Sequence, residues 1–117
     1  MLLERKEHKK DGDQITLIEA FYDSTNILKT NYIPERNLLF IFFKGGSVYS
    51  YSNIDRELYE KFENCESQGK FFIAEIKKKP QVYNYLKEYK MYEFEKQDIN
   101  EIIENLKLTK SPQNENI

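Results

Sequence analysis

The sequence is poor in the residues that brace a small chain covalently or through metal. Of 117 residues, one is cysteine, Cys65, and one is histidine, His8. A lone cysteine forms no internal disulfide, and with a single histidine it falls short of the four ligands of a structural zinc site. Long apolar runs are also missing. No window approaches the roughly 18 apolar residues that cross a bilayer, and the opening MLLERKEHKKDGD has no apolar leader core. A cytoplasmic location without membrane attachment is therefore expected. Nor does charge of one sign dominate: the formal net charge is -2 and the pI about 5.5. The chain thus lacks the broad positive field that usually draws a protein to nucleic acid.

Aromatic residues are abundant. Nine tyrosines and eight phenylalanines make up 15% of the chain, more than a disordered segment carries, and the length suits one hydrophobic core. Residues 1–14 are mostly charged and are expected to form a flexible arm. From Gln14 the parity changes: Ile15, Leu17 and Phe21 point one way in a strand while Ile18, Ala20 and Tyr22 point the other, so both faces need cover. A second extended piece runs over residues 27–32, and Pro34 with Asn37 marks a turn. Residues 38–43, LLFIFF, are apolar throughout and lead through Lys44-Gly45-Gly46 into VYSY, the pattern of a hairpin. Such a strand needs a helix layer, a ligand or another subunit on each side.

Asn53 or Asp55 caps an expected helix to about Glu66, with Leu58, Tyr59, Phe62 and Cys65 on its apolar face. Ser67-Gln68-Gly69 ends it, and Phe71, Phe72, Ile73 and Ile76 form a short second helix before Pro80. Residues 81–94 fit strand and helix equally. Asp98 and Glu101 begin a last helix whose stripe is Ile99, Ile102, Ile103 and Leu106. That stripe is expected to fold partly onto its own sheet and to leave some surface for dimerisation. The expected architecture is α+β, a small antiparallel sheet of three to four strands with a central hairpin, packed against two or three helices. It comprises one domain over residues 15–108 and a disordered tail over 109–117.

Catalytic material is sparse. His8 lies in the charged arm, and Cys65 fits a core position. Gly45-Gly46 precedes a strand and so makes a turn, not a phosphate loop, and Asp11-Gly12-Asp13 lacks the acidic residue that completes a calcium loop. No catalytic residue, metal or cofactor is expected. Binding is better supplied. Lys77-Lys78-Lys79, with Lys70, stands close in sequence to Tyr83, and lysine with tyrosine suits phosphate beside a flat ring. Tyr49 and Tyr51 share a face of the hairpin, and Asn26 begins a neighbouring strand, so the three can line a polar pocket. Ordinary core tyrosines beside solvated lysines would leave the same pattern.

Four segments carry a family resemblance: Ser24-Thr25-Asn26-Ile27; Tyr32 with Pro34; FFKGGSVYSY ending at Tyr51; and Tyr59 with Ser67-Gln68-Gly69-Lys70-Phe71-Phe72. In this order, over residues 24–77, they resemble the KTSC domain, a module found at the C-terminus of some lysyl-tRNA synthetases and also alone. Ile33, Asp55 and Ile73 depart from the aspartate, proline and asparagine the family tends to have there. The resemblance implies a small α+β fold and no established catalysis. The leading expectation is a non-catalytic protein, a homo-oligomer, that captures an anionic nucleotide-type ligand through Asn26, Tyr49, Tyr51, Lys70, Lys77, Lys78, Lys79 and Tyr83. Sequestration of a signalling nucleotide by a phage or mobile-element protein would be one such role. Two readings stay open beside it: an RNA- or tRNA-associated module, and an inhibitor or interaction module binding a host protein through the aromatic hairpin or last helix.

Overall fold

A computed structural model describes residues 1–109. Six strands, Leu2–Lys10 (β1), Gln14–Tyr22 (β2), Ile27–Ile33 (β3), Leu38–Phe43 (β4), Ser47–Tyr51 (β5) and Tyr85–Lys90 (β6), form one sheet in sequence order. Every neighbouring pair is antiparallel. Helices Arg56–Asn64 (α1) and Gln68–Phe71 (α2), the latter running into a π-helical turn at Phe72–Lys77, pack on one face. Helix Glu93–Thr109 (α3) packs on the other. The fold is α+β with an antiparallel sheet and three α-helices, but the sheet has six strands where three to four are expected.

Both extra strands lie at edges, and each escapes sequence patterning for a physical reason. Residues 1–14 are expected as an arm; instead β1 runs alongside β2 from Leu2↔Tyr22 to Lys10↔Gln14. Its charges suit an edge strand, where they discourage pairing with a further chain. Arg5 also reaches Glu63 of α1, Nε to carboxylate 3.6 Å, which ties the strand to the helix layer. β6 resolves the ambiguity of residues 81–94. All six of its residues are exposed, so no apolar periodicity marks it.

Cross-strand rows explain the core. On the α1 side, Ile18, Tyr32, Leu39, Tyr51 and Tyr85 succeed one another across β2 to β6. The first three members are fully buried and the last is open. Tyr32 stacks on Tyr59 of α1 with ring centroids 4.3 Å apart and donates its hydroxyl to the Ile54 carbonyl at 2.8 Å. The opposite face buries Phe21, Leu28, Phe42 and Val48 under Met91, Ile99 and Ile103, so the chain itself covers both faces of the LLFIFF strand. Ile102 of the expected stripe stays partly exposed. No helix of the described residues is long and apolar enough to cross a membrane.

Local signals are followed closely at several ends. Asp55 caps α1 by accepting from the Leu58 amide at 2.8 Å. Asn37 closes the Pro34–Arg36 turn in a left-handed conformation, φ 49°. The α1 helix stops at Asn64, two residues before the expected Glu66. Cys65 is therefore its half-buried C-cap, with Sγ 3.0 Å from the Phe62 carbonyl, and not a member of the apolar stripe. Ser67 begins α2 by accepting from the Lys70 amide. The last helix starts at Glu93, five residues before Asp98. Of the expected tail, residues 110–117 lie outside the described residues.

Candidate functional site

On the α1 side the helix layer stops short of β5 and β6, leaving a cleft of about 540 Å³ between those strands and the π-helical turn. That size suits a small-molecule site. Strand parity supplies its floor. Tyr49 and Tyr51, two residues apart on β5, point the same way with centroids 6.4 Å apart, and Tyr85 of β6 lies 6.1 and 6.3 Å from them. Phe72 stands at the wall, 5.2 Å from Tyr51 and 5.5 Å from Phe43. Tyr83 and Pro80 close the far side.

The π-helical turn places the charge. In an α-helix a residue five positions on lies about 140° round the axis. With i→i+5 bonding the wider turn brings it back toward the face of the first, and Phe72, Ile76 and Lys77 all line the cleft. Lys77 is the cation of the lining, and no carboxylate lines the cleft among the described residues. Nor does Lys77 have an ion-pair partner there, whereas Lys79 pairs with Glu75 at 3.5 Å.

The tyrosine hydroxyls divide in the same way. In the core and at the α3 contact they are committed: Tyr22 to Thr30, Tyr32 to Ile54, Tyr59 to Glu63 and Tyr89 to Glu95. Those of Tyr49, Tyr51, Tyr83 and Tyr85 in the cleft, and of exposed Tyr92 outside it, have no hydrogen-bond partner among the described residues. Burial, followed by the neighbouring Tyr49 and Tyr85, pushes the Tyr51 hydroxyl well above the ordinary tyrosine range. The neutral hydroxyl is thereby favoured, and it is available to donate a hydrogen bond. Together these groups can stack against a flat ring, donate hydrogen bonds and attract an anion.

The eight residues expected from sequence separate into three sets. Tyr49, Tyr51, Lys77 and Tyr83 line this cleft. Asn26 lines an adjoining depression of about 290 Å³. Lys70, Lys78 and Lys79 are exposed and line neither. Tyr85, which the sequence places with Tyr83 and Tyr89 beside the lysine run, also lines the cleft. Sequence reasoning missed Phe43 and Phe72; Phe43 ends the strand paired to β5. It also missed Lys44, which lines the smaller depression at the mouth of the hairpin turn. Ser24 has a plain structural role, its Oγ accepting from the Asn26 and Ile27 amides at 3.3 Å each. Among the described residues no cluster of three or more His, Cys, Asp or Glu is placed to hold a metal ion.

Comparison with known proteins gives a family and a fold likeness. Residues 23–79 match the KTSC domain family. The crystal structure of a KTSC domain protein from Yersinia pestis is similar to this chain at 26% identity with a TM-score of 0.57, over 62% of this chain and 99% of that one. A search of curated proteins finds no match. The family match takes in β3, β4, β5, α1, α2 and most of the cleft wall. Pro80, Tyr83 and Tyr85 lie beyond it.

Proposed function

Residues 23–79 of this chain are a KTSC domain, and we propose that the chain, with its added strands and last helix, is a non-catalytic protein that captures an anionic nucleotide-type ligand. The base would lie against the rings of Tyr49, Tyr51 and Tyr85, and the phosphate would face Lys77. The carrying observation is the division among the polar groups. Core tyrosine hydroxyls are spent on internal hydrogen bonds, whereas the four cleft hydroxyls and the Lys77 ammonium are uncommitted and no carboxylate opposes them. An aromatic cleft with an unpaired cation and free hydroxyls offers a ligand stacking, hydrogen-bond and charge partners at once. Sequestration of a signalling nucleotide, as a phage protein would perform it, fits a site that binds without a catalytic base.

Calorimetric titration with the four nucleoside monophosphates and their nucleosides tests this reading. At least one monophosphate should bind more tightly than its nucleoside, be recovered intact, and lose at least tenfold in affinity in Lys77→Glu. Absence of heat with all of them, or equal affinity for nucleoside and nucleotide, refutes it.

A second reading concerns assembly. The two sheet edges differ: β1 is laced with charge, whereas β6 exposes Tyr85, Leu86 and Tyr89. Lys87, Glu88 and Lys90 also lie on β6, but these apolar side chains favour pairing with a second copy along it, giving a homodimer through β6. Sedimentation should show a dimer that Leu86→Lys weakens, and a monomer at all concentrations counts against it.

A further inference from the structure

The aromatic cleft does not end at Lys77. The smaller depression shares Phe43, Gly45, Phe72 and Lys77 with it, so the two adjoin with Lys77 on their common border. The second lobe differs in chemistry. Its walls include Ile73, a large apolar side chain left 41% exposed, and its polar groups are the Asn26 amide and the Lys44 ammonium. The Lys44 amide donates to the Asn26 carbonyl at 2.8 Å, which holds the two residues side by side where β3 begins and β4 ends. Among the described residues neither side chain is committed to a hydrogen bond or ion pair. Lys44 also lines a third depression that holds Asp23 and Glu66, but neither carboxylate forms an ion pair with it, and Asp23 pairs with Lys107 at 3.5 Å. Gly45, in the lining of both, has nothing within 4 Å of where a side chain would begin.

Resting on the nucleotide reading above, we propose that the ligand is a dinucleotide: two nucleoside units joined through phosphate. One base stacks on the tyrosines. The linking phosphate sits at the common border by Lys77. The second nucleoside enters the smaller lobe, against Ile73 and Phe72, where the Asn26 amide reads its polar edge and Lys44 meets a second phosphate oxygen or terminal phosphate. A mononucleotide fills only the aromatic lobe and leaves Asn26, Lys44 and Ile73 unused. Two adjacent nucleotides of single-stranded RNA present the same chemistry as a free dinucleotide.

The test compares AMP, the phosphodiester-linked dinucleotide pApA and a hexameric RNA of adenosines on the wild-type protein, on Lys44→Ala and on Asn26→Ala/Lys44→Ala. The expected result is pApA binding at least tenfold more tightly than AMP. That ratio should fall toward one in the double variant while AMP affinity stays within twofold. Both side chains lack internal hydrogen bonds, so an unchanged melting temperature should accompany the loss. Equal affinity of pApA and AMP for wild type, or a ratio that survives the double variant, overturns the proposal and leaves the mononucleotide reading standing. Failure of all three probes overturns the proposal, and failure of all four monophosphates in the titration above overturns the nucleotide reading with it. Binding of the hexamer no tighter than pApA assigns the site to a free dinucleotide, and tighter binding assigns it to a pair of nucleotides within RNA; either upholds the two-lobed site.

Discussion

Removing one hydroxyl from each of two neighbouring aromatic residues should separate the cleft from the core. Tyr59 donates to Glu63 at 2.5 Å, and Glu63 is a carboxylate only 2% exposed. Tyr59→Phe leaves that buried carboxylate without its close donor, and a lost hydrogen bond to a charged group costs about 1.5–3 kcal/mol. For a domain of this size, about 4 °C of melting temperature accompanies each kcal/mol. A fall of about 6–12 °C is expected. Tyr51 is nearly as buried, but its hydroxyl has no internal partner among the described residues and its ring contacts with Tyr49, Phe72 and Tyr85 survive in phenylalanine. Tyr51→Phe should therefore stay within about 0.5 kcal/mol of wild type, roughly 2 °C. It should still weaken nucleotide binding about two- to tenfold, the equivalent of one hydrogen bond. Differential scanning calorimetry and isothermal titration of both variants read the two quantities. Equal destabilisation by the two changes, or a Tyr51→Phe protein that binds like wild type, refutes the assignment of free hydroxyls to ligand.

Three further outcomes follow from the fold. If β1 is docked as described, Arg5→Leu should lower stability by about 1–2 kcal/mol in urea denaturation, because Glu63 loses its cation while staying buried; a mobile arm would give no change. Gly46 has φ 107° and Gly45 is not so constrained, so Gly46→Ala should cost about 1 kcal/mol or more and Gly45→Ala much less, measured in the same way. Burial opposes ionisation of Glu19, but Lys29 at 2.5 Å and His8 at 3.2 Å outweigh it and hold its carboxyl below the ordinary value of 4.5. A depressed folded value stabilises above the unfolded one and is lost as pH falls through the folded one. The melting-temperature gap between wild type and Glu19→Gln should thus be full at pH 7 and shrink below about pH 4.5.

What could be read from the chain tracks how strongly each element is specified locally. The β4–β5 hairpin announced itself because a double-sided apolar strand, two glycines and an alternating VYSY leave few other conformations. Asp55 and Asn37 were legible because capping and left-handed turns select short polar side chains. β1 was hidden because an edge strand defended by charge has the composition of a solvated arm, and β6 because full exposure erases its period. The site was half legible for the same reason. Tyr49 and Tyr51 follow from parity within one strand, whereas Lys77 reaches the cleft only through a widened helical turn that no local pattern advertises. Lysines chosen by proximity in sequence scattered: Lys70, Lys78 and Lys79 stayed outside the lining, while Lys44, distant in sequence, entered the adjoining depression with Asn26 through the pairing of β3 and β4.

The capture of a nucleotide-type ligand is tested most directly by native mass spectrometry of gently purified protein, followed by denaturation and identification of what is released. A nucleotide-containing mass on the wild-type protein, or gained on mixing with a nucleotide pool, and lost in Lys77→Glu, is the predicted result. Protein that carries nothing and gains nothing from that pool contradicts it.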